Sequence, residues 1–275
     1  MNKMILNRKS GCAPINGLDL YYELSGEGPP AVYFHPFLSY GDAHGGDLCR
    51  YISHRRWLTM DQQGHGHTPD IDRPLSFEQA ADDAAALMRR LDIQNADLFG
   101  ESFGGIVAML LAIRHPKLAR RVATYGSSMG RFQETKRPES RAQLTTLTAD
   151  HRSVQCQRES YRRIAPDPDA WPGLFEKATH VAWGGIDPDE LKFVQIPVLV
   201  MGGDHDVLGP RPEHLLEVSR SLPKGQLAII PDAGHFVVYD APETILPLVS
   251  RFFDSPDEGI PFATTLTGYH PGETR

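Results

Sequence analysis

The chain has 275 residues, 40% hydrophobic, 23% charged and 9% aromatic, which is enough apolar material for a packed core and too much for a disordered chain. A formal net charge of -7 argues against a nucleic-acid partner, because such proteins need a basic face to displace counterions from phosphates. No stretch approaches the length of a membrane span, and Met1 to Pro14 has Lys3, Arg8 and Lys9 but no apolar leader core, so a cytoplasmic protein with no membrane partner is expected.

Paired arginines at 55 and 56, 120 and 121, and 162 and 163 belong to no longer basic run and read as solvated surface. Cys12, Cys49 and Cys156 are odd in number and lie in no ligand spacing, so free thiols are expected and neither a disulfide framework nor a zinc site is supported.

Taken in order, Asn16-Gly17 separates two short runs, 11–15 and 18–24, with the composition of a tight hairpin turn. After the turn-forming Gly26-Glu27-Gly28-Pro29-Pro30, Ala31 to Phe34 reads as a buried strand and Trp57 to Met60 as another. Ser76 and Gln79 have capping-box spacing, and Ala80, Ala84, Leu87, Met88 and Leu91 repeat at helical intervals, predicting an amphipathic helix over 76–92. Next come a strand at Ala96 to Phe99, a buried helix over Ile106 to Ile113 stopped by His115-Pro116, and a strand at Arg121 to Tyr125. This alternation of strands and helices is the signature of a mostly parallel α/β sheet.

Between 131 and 192 the rhythm breaks: the residues are more polar, prolines fall at 138, 166, 168, 172 and 188, and no apolar strand is visible. The expected organisation is a core made of 1–130 and 193–254 with an insertion at 131–192. Alternation resumes with strands at 196–201 and 226–230 and helices near 211–222 and 241–253. The tail, 255–275, is rich in Pro, Gly and Thr and is expected to be an extended arm, either loose or packed on a neighbouring copy as a homo-oligomer contact.

Gly100-Glu101-Ser102-Phe103-Gly104 lies between a predicted strand and a predicted buried helix, the context in which G-x-S-x-G has a mechanical meaning. A sharp turn there would raise the Ser102 hydroxyl above the sheet, and the helix N-terminus would place backbone N–H groups where an oxyanion forms. A serine hydroxyl is a weak nucleophile and needs a base, which in turn needs an orienting acid. His235, in Asp232-Ala233-Gly234-His235-Phe236, and Asp206, in Gly202-Gly203-Asp204-His205-Asp206, each follow a predicted strand, and the chain order Ser, Asp, His suits this sheet architecture. His65 and His67 near Asp61 are also close enough to raise a metal reading if the segment is extended.

Four ordered motifs make the chain resemble the α/β-hydrolase superfamily from Asn16 to Phe253: His35-Pro36-Phe37, Asp61-Gln62-Gln63-Gly64-His65-Gly66-His67-Thr68, the serine elbow, and the Asp206 and His235 loops. The resemblance implies a mostly parallel eight-stranded sheet with flanking helices, a Ser102-His235-Asp206 triad, and a small helical cap formed by 131–192. The same pattern favours Asp206 over Asp204 as the acid and implies that the segment with His65 and His67 is a structural turn, so no metal or other cofactor is expected. It also implies an oxyanion hole built from the backbone N–H groups of Phe103 and of the turn after His35. Family members usually carry His-Gly at that turn; here Pro36 has no N–H, and the donor would be Phe37.

Within the implied cap, Trp171, Phe175 and Trp183 are large apolar groups in a polar stretch. They either anchor the cap or line an acyl pocket. The expected partner is a small-molecule substrate, and the leading reading is a serine hydrolase that cleaves a small-to-medium, mostly apolar carboxylic ester or lactone through an acyl-serine. C–C bond hydrolysis or a perhydrolase-type reaction would use the same three residues. A ligand-binding member of the fold with little turnover is the reading from another class, and such proteins often lose a triad residue, whereas all three candidates are present here.

Overall fold

The computed structural model describes residues 7–43, 45–129, 152–181 and 186–256. Its centre is an eight-stranded sheet in the order β1-β2-β4-β3-β5-β6-β7-β8. The strands are β1 (Lys9–Ile15), β2 (Leu18–Ser25), β3 (Pro30–Phe34), β4 (Arg56–Met60), β5 (Ala96–Glu101), β6 (Ala119–Tyr125), β7 (Val198–Gly203) and β8 (Gly225–Ile230). β1 and β2 form an antiparallel hairpin through Asn16-Gly17, and β2 pairs antiparallel with β4; from β4 to β8 every pairing is parallel.

The central strands are covered on both faces, which is why they read as continuous apolar runs rather than as alternation. Against one face pack α2 (Phe77–Arg90), α3 (Phe103–Arg114) and α7 (Pro212–Ser221). On the other face lie α1 (Gly45–Tyr51), α8 (Val237–Asp240) and α9 (Pro242–Asp254). α1 has no forecast in the sequence because two glycines open it, yet Leu48, Cys49 and Ile52 are buried beneath it. Only half of the capping box at α2 forms: Ser76 accepts from the Gln79 N–H, whereas the Gln79 side chain donates to Asp83.

Within 131–192, the described residues form α4 (Arg152–Ile164), α5 (Trp171–His180) and α6 (Pro188–Leu191). Val154, Tyr161, Trp171 and Leu174 make a small apolar cluster of their own, against which Leu38 and Leu75 of the sheet's loops are packed. Lys177 fastens α5 to the loop before α2, donating to Asp70 at 2.7 Å and to the carbonyls of Ile71 and Arg73.

The expectation that the paired arginines are solvated surface is wrong for Arg55 and Arg121, while Arg56 is exposed as expected. Arg55 and Arg121 are only 4% and 1% exposed. Asp97, wholly buried at the start of β5, accepts from Arg55 Nε at 3.0 Å and from Arg120 at 2.7 Å. Arg55 also reaches Asp254, while Arg120 and Arg121 donate to the carbonyls of Phe253 and Ser255. The end of α9 is thereby tied to the foot of the sheet, through partners more than 100 residues apart for Arg120 and Arg121. Removing one member of such a cluster strands a buried charge, so Asp97→Ala is expected to lower stability by about 3–5 kcal/mol in urea unfolding. A loss under about 1 kcal/mol, typical of surface pairs, would contradict this account.

Candidate active site

β5 ends at Glu101 and α3 begins at Phe103, so the whole change of direction falls on Ser102. Its backbone sits at φ +50, ψ -115, a conformation that a residue with a side chain adopts only when its surroundings enforce it. Three contacts do so. The Ser102 N–H donates to Tyr125 O at the end of β6 (2.8 Å), and the Ser102 carbonyl accepts from the N–H groups of Gly105 (3.2 Å) and Ile106 (3.4 Å). Gly104 allows the close approach this turn needs, since any Cβ there would collide with the carbonyl of Phe34 at the end of β3.

β7 and β8 deliver the other two candidates. The loops after them are joined by the Asp204 N–H to Ile230 O and the His205 N–H to Ala233 O, both 3.1 Å. Across this pair of loops, His235 Nδ1 lies 2.9 Å from Asp206 Oδ2. Asp206 is further fixed through Oδ1, which accepts from the N–H groups of Leu208 (2.9 Å) and Gly209 (2.6 Å), and its side chain is fully buried. A carboxylate held by two N–H groups accepts the Nδ1 proton, which leaves the Nε2 lone pair available as a base. Asp204 instead braces the two loops, its carboxylate accepting the Ala233 N–H at 3.4 Å.

The end of β6 joins the serine to the histidine. Tyr125 O holds the Ser102 N–H, the Tyr125 hydroxyl donates to Gly234 O at 2.6 Å, and a Cβ at Gly126 would lie 3.0 Å from His235 Nδ1. The sequence reading treats 121–125 only as a strand. A tyrosine followed by glycine at a strand's end is a weak signal, and its importance appears only once β6 lies between β5 and β7.

The turn after β3 approaches from the opposite side. The rings of Phe37 and Phe103 stack at 3.9 Å, so the two residues expected to supply oxyanion donors pack against each other through their side chains. His35 is fully buried and neutral: burial lowers its pKa, Nδ1 donates to Pro36 O at 2.8 Å, and Nε2 accepts the Gln62 N–H at 3.1 Å. The ring thus pins the turn after β3 to the loop after β4. Asp61 adds a second tie, accepting from the Gly41 N–H (2.6 Å) and from the His67 N–H and Nδ1 (2.8 Å each).

His65 is buried, donates from Nδ1 to Gln63 O, and is pushed down to about 3, chiefly by burial. Among the described residues no three His, Cys, Asp or Glu side chains are grouped so as to hold a metal ion. A recess lined by Leu20, Met60, Gln62, His65, Arg73 and neighbours shares only Phe103 with the candidate site.

Of the three aromatic residues singled out in the insertion, Trp171 is 5% exposed and packs edge-on to Tyr161 at 5.4 Å. Phe175 is half-buried and lies 6.2 Å from the Trp171 ring. Trp183 lies outside the described residues.

Residues 26–248 match the model of the Alpha/beta hydrolase family, and the chain belongs to that family. It is 27% identical over 228 residues to Serine hydrolase BPHL of Homo sapiens, covering 80% of this chain and 78% of that protein. It is also 27% identical over 253 residues to a 2-hydroxymuconate semialdehyde hydrolase of Pseudomonas putida, covering 84% and 89%. Among solved structures, Est816, described as an N-acyl homoserine lactone degrading enzyme, superposes with a TM-score of 0.71 at 22% identity, over 89% of this chain and all of that one. At this identity the superposition speaks to the fold alone.

The two aspartates of the β7 loop can be separated by experiment. Asp206→Asn is expected to slow labelling of Ser102 by a fluorophosphonate on the order of 10⁴-fold, as loss of the orienting acid does in such triads. Asp204→Asn should stay within about tenfold of wild type, since it loses one long neutral-donor bond. The reverse ranking would move the acid to Asp204.

Proposed function

We propose that the protein is a serine hydrolase acting on a small-to-medium, mostly apolar carboxylic ester or lactone. The observation that carries this reading is the bond from His235 Nδ1 to a buried, doubly anchored Asp206, on the same β6 end that holds the strained Ser102.

In this reading His235 takes the Ser102 proton at Nε2 as Oγ attacks the substrate carbonyl, and Asp206 stabilises the imidazolium that results. The carbonyl oxygen gains negative charge beside the N–H groups of Phe103, at the start of α3, and Phe37; donors already fixed in place gain strength as that charge develops. His235 then returns the proton to the leaving alcohol, or to the ring oxygen of a lactone. Water, deprotonated by the same histidine, frees the acyl group in the second half of the cycle.

Residues 131–192 act as the cap in this proposal. Support comes from the packing of the α4–α5 cluster on Leu38, one residue past Phe37, which sets these helices beside the candidate oxyanion turn. A small molecule is the partner, no nucleic acid or membrane is involved, and the tail is a candidate contact between copies. Among the described residues no helix is long and apolar enough to cross a membrane. The likeness to a semialdehyde hydrolase favours C–C bond hydrolysis as the second reading, since the same serine and histidine suffice for it.

A panel of p-nitrophenyl esters, lactones and dienoate-type compounds, run with wild type and Ser102→Ala, tests the class. Ester or lactone turnover is expected in wild type and should fall on the order of 10⁴-fold or more in Ser102→Ala and His235→Ala. Full activity in Ser102→Ala would sink the mechanism, and turnover confined to dienoates would select the second reading.

The cap proposal has its own test. Phe175→Ala and Trp183→Ala should raise KM for long acyl esters about 3- to 30-fold and leave acetate nearly unchanged, because lost apolar contact of about 1–2 kcal/mol falls only on substrates that reach it. An acyl-length profile matching wild type in both folded variants would remove these residues from the pocket.

A further inference from the structure

Glu101 immediately precedes Ser102 but takes no part in the chemistry above. As the last residue of β5 it points to the opposite face from its neighbour, by the alternation of a strand. It is 3% exposed. Its Oε1 accepts the Tyr33 hydroxyl at 2.6 Å, and burial, opposed by that bond, pushes the carboxyl up to about 8.

Tyr239 approaches from α8, just after the His235 loop. The residue as a whole is 39% exposed, but its hydroxyl is hydrogen-bonded to Ser39 Oγ and its pKa is raised by burial and by the charge of Glu101. Ser39 in turn belongs to the Phe37 turn, its N–H donating to Pro36 O at 3.3 Å, and Tyr239 is tied to the histidine loop through its own N–H to Phe236 O at 2.9 Å. Among the described residues, the titratable groups that face Glu101 include Tyr33 from β3, Tyr125 from β6 and Tyr239 from α8, phenols whose ionisation burial and the carboxyl make harder.

We propose that Glu101 is a positioning residue that joins the serine elbow to β3 through Tyr33 and, with the Tyr239–Ser39 pair it faces, steadies the turns carrying Phe37 and His235. This rests on the hydrolase reading and adds a dependence on pH to it. A carboxylate charge so deeply buried among phenols is costly, and the cluster must rearrange to admit water when Glu101 ionises. Such a rearrangement shifts the donors that must meet the developing oxyanion, and catalysis is sensitive to displacements well under an ångström.

The test compares wild type, Glu101→Gln and Glu101→Ala by ester hydrolysis and by fluorophosphonate labelling of Ser102 between about pH 6 and 10. Wild-type kcat/KM should fall toward tenfold per unit above about pH 8. Glutamine in place of the acid keeps the shape without the titrating proton. The Glu101→Gln variant should stay within about threefold of wild type at pH 7 and lose the alkaline fall; the Ala variant should lose about 10- to 100-fold in kcat with KM little changed. Superimposable profiles for wild type and Glu101→Gln would overturn the proposal.

Unfolding gives a readout independent of turnover. A folded pKa near 8 lies above the unfolded value of about 4.3, so the folded state holds the proton longer and stability falls as pH rises between them. Relative to wild type, Glu101→Gln should gain stability across that window, and no gain would overturn the proposal even if no ester is turned over. If Glu101→Gln does not fold, Tyr239→Phe replaces it. Loss of the Ser39 link should lower kcat several-fold with KM unchanged, and wild-type kinetics in that variant would overturn the proposal.

Discussion

Ser102 sits in a backbone conformation that its own chemistry disfavours, and much of the surrounding structure can be read as what holds it there. A single residue at φ +50 between a strand and a helix requires an acceptor for its N–H, donors for its carbonyl, and room for the helix to begin against the neighbouring strand. Tyr125 O supplies the first, Gly105 and Ile106 the second, and the missing side chain of Gly104 the third. The first comes from β6, the second from α3 itself and the third from the fit of α3 against β3, so the elbow forms only when β3, β5 and β6 are in register.

The polar groups buried around this point divide into two layers. At the foot of the sheet, Asp97 and three arginines fix the end of α9, far from the serine. At the other end, His35 and Asp61 join the loops after β3 and β4, and Asp206 anchors the loops after β7 and β8. Parallel strands deliver their C-terminal loops to one edge, and such loops carry backbone groups that sheet pairing leaves open. Here buried side chains bind those groups, so the loops present donors and bases at fixed positions rather than as a mobile fringe.

The sequence made the elements with strong periodicity legible, along with the residues whose types are rare in their context. A serine between glycines after an apolar strand, and an aspartate and a histidine each just past a later strand, were readable because chain order and strand order coincide in this half of the sheet. Three features were not readable. The charges of Arg55, Arg120 and Arg121 looked like surface because their partners are distant in sequence and include backbone carbonyls, which leave no trace in composition. α1 was hidden by its opening glycines, its helix being secured by burial of Leu48 and Ile52 rather than by propensity. Glu101 looked like filler in a motif, since only the alternation of β5 sends it toward Tyr33.

Relatives of this chain carry names as different as a serine hydrolase and a semialdehyde hydrolase, and the arrangement of this site suggests why. In the proposed hydrolase reading, the groups that would move protons are set by the sheet, whose register tolerates little change. In the same proposal the surface that would meet the rest of a substrate falls to the cap, whose described α4–α5 cluster has its own small core and touches the sheet's loops through Leu38, Leu75 and Lys177. Such a unit can exchange its side chains without disturbing the bonds that hold Ser102, Asp206 and His235. Leu38 itself is left-handed at φ +63 and lies between Phe37 and the helical cluster. In the proposed reading, a change in how α4 and α5 pack would therefore reach the Phe37 N–H through one strained residue, linking the choice of substrate to the stabilisation of its oxyanion.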